Sequence, residues 1–73
     1  MNFEVGDKVR TDVEGHHLME VSATIIDVRH DGLVKIKAYE IDGESFKEAR
    51  VFGTFYPPEY FILIERGSVE FEF

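Results

Sequence analysis

Apolar residues recur at every second position over much of this chain, and no stretch shows the apolar spacing of a ten-residue helix. In the first such stretch, Val9, Thr11 and Val13 share one parity and charged residues lie between them. Successive side chains of a β-strand point to opposite faces of the sheet, so a period of two predicts strands with one buried face. The alternation therefore predicts an all-β domain.

The second predicted strand, from Met19 to about Arg29, contains a break in its alternation. The apolar face of its first half consists of Met19, Val21, Ala23 and Ile25. After that, Ile26 and Val28 continue the apolar pattern on the other parity. A one-residue slip turns side chains to the opposite face of a sheet, so we expect a β-bulge or a bend near residues 25–26.

Two Asp-Gly pairs predict the turns on either side of the third strand, residues 33–41. Asp31-Gly32 and Asp42-Gly43 are pairs that readily supply the positive φ angles of tight hairpin turns. The residues of this strand that we expect to face inward are Val34, Ile36 and Ala38. Those that we expect to face outward are Lys35, Lys37 and Tyr39.

The second half of the chain is less regular. Residues 45–50 fit either a short helical turn or a strand, whereas residues 51–56 are typical of a strand with Gly53 as a bulge. The prolines that follow end this strand. A short 3-10 turn near Pro58 to Tyr60 then leads into an apolar run that predicts another strand.

The C-terminal tail, residues 66–73, alternates again. Val69, Phe71 and Phe73 share one parity and glutamates separate them. We expect the tail to add a sixth strand to the domain's own sheet, because Gly67 allows the chain to turn back and small sheets need their edges covered. Pairing of the tail with a second molecule or a partner is the alternative.

Four short motifs together resemble a known family of folds. The motifs are Phe3-x-x-Gly6-Asp7-Lys8-Val9, Ala23-Thr24-Ile25-Ile26, Asp31-Gly32 and Pro57-Pro58-Glu59-Tyr60-Phe61. Over residues 3–65 the chain resembles an SH3-like small β-barrel of the KOW, Tudor and RNA-polymerase-interacting type. At 73 residues the chain has room for one domain, residues 1–73. The resemblance implies that this domain is a barrel of five to six antiparallel strands, with the 3-10 turn near Pro58 to Tyr60.

Composition limits how so short a chain is stabilised and where it resides. The chain has no cysteine, which excludes disulfides and thiolate zinc sites. Seven Phe and three Tyr are available to fill a small core instead. No run approaches the roughly 20 apolar residues of a membrane span, and the N-terminus lacks the pattern of a signal peptide. We therefore expect a cytoplasmic protein with no membrane contact, and the sequence specifies no oligomeric state.

The histidines and carboxylates show no spacing typical of a catalytic or metal site. The candidate metal ligands are His16, His17, His30, Asp12, Glu14 and Asp31. They lack the i, i+4 spacing of a zinc-binding helix, and an exposed polar loop explains the adjacent histidines. The serines lack a nucleophile motif, and no glycine-rich phosphate loop is present. We expect no enzyme, no cofactor and no metal; a small enzyme or metal protein using His16 and His17 is the third-ranked hypothesis.

Negative charge and an aromatic stretch together predict a protein-binding function. Fifteen acidic and eight basic residues give a net charge of −7, which repels nucleic acid and attracts a basic partner. Solubility alone also explains the charge, and core filling also explains the aromatic residues. We expect a non-enzymatic adaptor or inhibitor, of a kind that phages encode, that docks on a machine such as RNA polymerase or a nuclease. The expected contact residues are Phe52, Phe55, Tyr56, Tyr60, Glu44, Glu48 and Glu59.

A basic strip supports a second hypothesis, in which the barrel binds nucleic acid directly. Cations interleaved with an aromatic side chain on one sheet face can contact phosphates and stack on bases. The residues of this strip are Arg10, Arg29, Lys35, Lys37 and Tyr39. An ordinary solvated face with cross-strand ion pairs would use the same residues, and the negative net charge opposes binding of a polyanion.

Overall fold

The computed structural model of this protein describes residues 2–12 and 19–67. Within them the chain is all-β: five antiparallel strands form one sheet, in the order β4-β3-β2-β1-β5, and no α-helix occurs. The strands are β1 Lys8–Thr11, β2 Val21–Val28, β3 Val34–Ile41, β4 Glu44–Val51 and β5 Phe61–Glu65. A 3-10 turn, Pro58–Tyr60, precedes β5. The predicted fold class is thereby confirmed with five strands, and the expected tail strand over residues 69–73 lies outside the described residues.

The core lies on the faces that the alternation of apolar residues predicted. Its buried apolar residues are Phe3, Val9, Val21, Ala23, Ile25, Val34, Ile36, Ala38 and Phe61. Each fully buried Val, Ile or Phe side chain stabilises the fold by about 1.5–3 kcal/mol. Thr11 is buried as predicted, and Val13 lies outside the described residues. Met19 was expected on the buried face, but 53% of its surface is exposed, because β2 begins only at Val21.

The predicted bulge in β2 is present and explains the slip of the apolar pattern. The pairing of β2 with β3 shifts between Ile25 and Asp27, so Ile26 has no partner in the register. Beyond the shift, Val28 pairs with Val34 and packs against the core. A bulge increases the local twist of a strand, so this one helps the sheet to bend around a single core.

Both Asp-Gly pairs form turns, as predicted. Gly32 has φ 93° and Gly43 has φ 85°, a region that side chains of L-residues rarely adopt. Asp42 is the one described residue other than glycine with a positive φ, at 51°. Two consecutive positive φ angles are the requirement of the tight turn that joins β3 to β4.

The structure decides between the two alternatives for residues 45–50 and corrects the prediction for residues 51–56. Residues 45–50 belong to strand β4, whereas residues 51–56 do not form the separate strand that their pattern predicted. Phe52 N donates to Ile36 O at 3.0 Å, and Tyr56 exchanges two backbone hydrogen bonds with Val34 at 2.8 and 2.9 Å. Between them, residues 53–55 lie outside the strands, and the ring of Phe55 lies beside two cations described below.

The carboxylate of Asp7, which is completely buried, joins the first and last segments of the described part of the chain. It accepts hydrogen bonds from Glu4 N at 2.8 Å, Arg66 Nη1 at 3.0 Å and Gly67 N at 2.7 Å. Gly67 packs directly on the backbone of Gly6, where a Cβ atom would lie 2.2 Å from the carbonyl carbon. The Gly-Asp motif therefore fixes the N-terminal turn against the end of β5.

Candidate functional site

An apolar pocket of about 160 Å³ opens at one end of the core. It is lined by Thr11, Met19, Val21, Ile36, Phe52, Tyr56, Tyr60 and Phe61. The lining comes from β1, β2, β3, β5 and the segments that precede β2 and β5. An apolar concave surface on a small domain is the usual form of a binding site, so this pocket is the first candidate.

Tyr56 lies at the centre of the aromatic wall of the pocket. Its ring centroid is 6.3 Å from that of Phe52, 6.5 Å from that of Tyr60 and 6.3 Å from that of Phe61. The contacts with Phe52 and Phe61 are edge-to-face, the arrangement that favours aromatic pairs. Because the backbone of Tyr56 is also bonded to Val34, this wall is held in place before any ligand arrives.

The segment of Met19 and Glu20 is fixed by side chains of the neighbouring strands. Thr11 Oγ1 donates to Met19 O at 2.9 Å and accepts from Val21 N at 3.0 Å. Asp42 Oδ1 accepts from Glu20 N at 3.1 Å, and Asp42 N donates to Glu20 O at 2.7 Å. These bonds leave the exposed side chain of Met19 at the pocket mouth.

Four acidic residues lie side by side near the ends of neighbouring elements, and we call them the acidic row: Glu59, Asp12, Glu20 and Asp42. Asp12 N donates to Tyr60 O at 2.8 Å, and Glu59 adjoins Tyr60 in the 3-10 turn. The register Arg10↔Ser22 places Asp12 and Glu20 opposite each other beyond the paired residues, and Asp42 is bonded to Glu20. Glu20, Asp42 and Glu59 are exposed and Asp12 is half-buried. The pocket itself can accept an apolar group, since its lining contains no charged side chain among the described residues.

The structure divides the predicted protein-binding residues into three groups. Phe52, Tyr56 and Tyr60 line the pocket together, and Glu59 adjoins Tyr60 in the 3-10 turn. Phe55 is elsewhere: its ring centroid is 5.1 Å from Arg29 Cζ and 5.3 Å from Lys35 Nζ. Glu44 and Glu48 are exposed on β4 and do not line the pocket.

Sequence reasoning missed several residues of the site. They are Met19 and Phe61 in the pocket and Asp12, Glu20 and Asp42 in the acidic row. Asp12 was considered as a metal ligand and not as a protein-binding residue. The Asp31-Gly32 turn was the available signal for Asp42, since the hairpin that it forms brings the end of β3 beside the start of β2.

The predicted basic strip is interrupted by carboxylates. Lys8, which the sequence did not single out, lies over the ring of Tyr39 with Nζ 6.0 Å from its centroid. Lys8 is paired with Glu65 across β1 and β5, and Lys35 is paired with Asp27 across β3 and β2. The strip residues are exposed or half-buried, and they are Arg10, Arg29, Lys35, Lys37 and Tyr39. Mixed charge on this face weakens its attraction for a polyanion.

Arg29 is also engaged in an ion pair with Asp31, at the turn before β3. Arg29 Nη2 lies 2.5 Å from Asp31 Oδ2, and Arg29 Nε donates to Asp31 Oδ1 at 3.2 Å. The hydrogen bond from Arg29 lowers the pKa of Asp31 to about 2, against an opposing effect of desolvation, and the N–H of Leu33 lowers it further. The guanidinium group of Arg29 is therefore paired with a carboxylate of its own turn and is not free.

The expected metal candidates form no site in the described part of the chain. His16, His17 and Glu14 lie outside residues 2–12 and 19–67. Within those ranges no three His, Asp or Glu side chains are grouped so that they could hold a metal ion. No helix among the same residues is long and apolar enough to cross a membrane.

Comparison of the chain with family models, curated proteins and solved structures found no match in any of the three. The resemblance to KOW, Tudor and RNA-polymerase-interacting barrels therefore stays a prediction from the sequence motifs. The five-stranded antiparallel sheet and the 3-10 turn are the implied features that the structure shows. The functional argument rests on the geometry of the site.

Proposed function

We propose that this protein is a non-enzymatic protein-binding module that holds a basic partner at the aromatic pocket. The observation that carries the proposal is an apolar pocket with an aromatic wall on a chain with a net charge of −7. Filling the pocket with an apolar side chain supplies affinity, at about 1.5–3 kcal/mol for a buried Leu or Phe. The carboxylates and the net charge of −7 speed association with a basic surface and select it over an acidic one.

The rigidity of the pocket supports the same function. The hydrogen bonds of Thr11, Asp42 and Tyr56 fix the lining backbone before a partner binds. A preformed site avoids much of the entropic cost of ordering side chains on association. In this proposal the chain is a cytoplasmic adaptor or inhibitor with an SH3-like barrel fold that docks on a larger machine such as RNA polymerase or a nuclease.

A matched pair of substitutions tests the proposal. Met19 at the pocket mouth exposes 53% of its surface, and Val51 at the end of β4 exposes 56%. Met19→Lys adds a cation at the pocket mouth, whereas Val51→Lys makes a similar change in charge and polarity away from it. With a photo-crosslinking residue at 19 or at 51, we expect the partner to be captured from position 19 only. We also expect Met19→Lys, but not Val51→Lys, to abolish co-purification of that partner. Equal capture from both positions would contradict the proposal.

Nucleic-acid binding is the second candidate function, and one contact favours it. Lys8 lies over Tyr39, and the exposed Lys37 shares the same strand as Tyr39. Binding of nucleic acid is opposed by the carboxylates of Glu65 and Asp27 and by the net negative charge. A mobility-shift assay with duplex and single-stranded nucleic acid at low salt distinguishes nucleic-acid binding from protein binding as the function.

A further inference from the structure

The two Asp-Gly turns of the chain differ in their hydrogen bonds, although they share the same pair of residues. We infer that Asp42-Gly43 is a site of spontaneous covalent modification, at which Asp42 converts to isoaspartate, whereas Asp31-Gly32 is protected from the same reaction. The inference concerns the chemistry of the chain itself and does not depend on the proposed function. It rests on the contacts of the two reacting groups in each turn.

The reaction needs an accessible backbone nitrogen and a carboxyl group that can lose water. The amide nitrogen of the glycine attacks Cγ of the aspartate, an N–Cγ bond forms, and one water molecule leaves to give a five-membered succinimide. Water then adds to either carbonyl carbon of the ring. Opening at Cγ restores aspartate, whereas opening at the former peptide carbonyl gives isoaspartate, whose main chain runs through Cβ and Cγ. A glycine favours the attack because it has no side chain that obstructs the approach of its nitrogen.

Both reacting groups are accessible in the turn between β3 and β4. Asp42 and Gly43 are exposed, and Gly43 N donates no hydrogen bond to any of the described residues. The pairing of Ile41 with Glu44 closes the turn without using this nitrogen. Within the described chain the carboxyl group of Asp42 accepts one hydrogen bond, from the uncharged donor Glu20 N at 3.1 Å. The nucleophile of this turn is therefore free.

Both reacting groups are occupied in the turn between β2 and β3. Gly32 N donates to Arg29 O at 2.9 Å. The carboxylate of Asp31 is paired with the guanidinium group of Arg29 and also accepts from Leu33 N at 3.2 Å. The hydrogen bond from Arg29 lowers the pKa of Asp31 to about 2, and an ionised carboxylate loses water less readily than a carboxylic acid. The same pair of residues is therefore blocked at its nucleophile and at its carboxyl group.

Isomerisation at Asp42 releases the segment at the pocket mouth. Asp42 N donates to Glu20 O at 2.7 Å, and Asp42 Oδ1 accepts from Glu20 N. Glu20 directly follows Met19, which lines the pocket. Isoaspartate adds one methylene group to the main chain and turns the side-chain carboxyl carbon into a backbone carbonyl. The turn then no longer presents both partners to Glu20, so Met19 loses part of its support.

Ageing of the full chain at neutral pH and physiological temperature tests the inference. Isoaspartate at each position is measured by enzymatic methyl transfer to its free α-carboxylate and located by electron-transfer fragmentation of the digested chain. Synthetic peptides of residues 29–34 and 40–45, aged alongside, give the rates of the two Asp-Gly pairs without the folded structure. Asp42→Glu is the matched control, because it keeps a carboxylate but would need a six-membered ring, which forms far more slowly.

We expect the two peptides to react at similar rates and the two turns of the folded chain to differ. Isoaspartate should form at Asp42 at least roughly tenfold faster than at Asp31, since each hydrogen bond that must first break contributes a factor of roughly two to ten. Arg29→Gln should raise the rate at Asp31 severalfold and leave the rate at Asp42 unchanged. Asp42→Glu should remove the modification from its own turn. In the aged protein the ¹³C-methyl signal of Met19 should split, with a second signal in proportion to the isoaspartate at position 42.

Two results would overturn the inference. One is isoaspartate that forms as fast at Asp31 as at Asp42 in the folded chain. The other is an Asp42 that stays unmodified after the peptide of residues 40–45 has been converted. If isoaspartate forms at Asp42 but the Met19 signal stays single, the claimed effect on the pocket mouth is wrong. Whether the pocket binds a partner is decided separately, by the crosslinking experiment.

Discussion

The carboxylate of Asp7 is the single group whose removal we expect to destabilise this domain most. It is completely buried and accepts hydrogen bonds from Glu4 N, Gly67 N and Arg66 Nη1. Asp7→Ala removes all three acceptor contacts at once. Two backbone N–H groups then lose their partner, and the packing of Gly67 on Gly6 loses the bond that holds it in place.

The expected loss follows from the burial of this group. Removing one partner of a buried ion pair costs about 3–5 kcal/mol. Arg66 exposes 50% of its side chain and regains water when Asp7 is lost, so we expect a value near the lower end, about 3 kcal/mol. A domain of this size has roughly 4–11 kcal/mol of total stability. The melting temperature should therefore fall by roughly 12–24 °C.

Thermal and urea denaturation followed by circular dichroism measures this change. Asp27→Ala is the matched control, since Asp27 is exposed on β2, and we expect it to change stability by less than about 0.5 kcal/mol. Asp7→Asn should lie between Asp7→Ala and the wild type, because an amide keeps one acceptor oxygen. If Asp7→Ala unfolds at the same urea concentration as Asp27→Ala, the joining of the chain ends contributes little and our account of the fold closure is wrong.

Three further predictions concern the turns, the pKa of Asp31 and the basic face. Gly32→Ala and Gly43→Ala should each cost more than about 1 kcal/mol in urea denaturation, because their φ angles of 93° and 85° strain any side chain; a neutral result for both would contradict the turn assignment. NMR titration should give Asp31 a pKa of about 2, and Arg29→Gln should return it towards its usual value. Because this pKa is depressed in the folded state, the pairing stabilises the protein above the usual carboxyl pKa, and the contribution disappears as the pH falls through about 2. Mobility-shift assays at low salt should show no nucleic-acid binding tighter than roughly 100 μM; micromolar binding that Lys35→Glu abolishes would favour the second candidate function.

The elements of the fold that depend on local pattern could be predicted from the sequence. The alternation of Val34, Ile36 and Ala38 identified the buried face of β3, and the two Asp-Gly pairs identified its turns. Both are signals within a few residues along the chain. The bulge near residues 25–26 was equally local, because the break in alternation is its direct consequence.

The features that sequence reasoning missed depend on contacts between distant segments. Phe55 continues the pattern of a strand, yet its ring leaves the sheet to lie beside Arg29 and Lys35. The importance of Asp7 was hidden for the same reason, since Arg66 and Gly67 are 59 and 60 residues away along the chain.

The acidic row was missed because its members are scattered in the sequence. Asp12, Glu20 and Asp42 become neighbours only through the pairing of three strands. No single stretch of the chain carries a signal for such a row. The aromatic wall was partly predictable, because Phe52, Tyr56 and Tyr60 lie close together in the sequence.

The methyl group of Met19 offers the most direct test of pocket binding. The chain has two methionines, Met1 and Met19, so selective ¹³C-methyl labelling places one signal at the pocket mouth and one internal control at the N-terminus. Titration with the captured partner should shift the Met19 signal saturably and leave that of Met1 in place. Binding that saturates while the Met19 signal stays unmoved, and the amides of Lys35 and Lys37 shift instead, would show that the partner uses the opposite face of the sheet and would contradict the account.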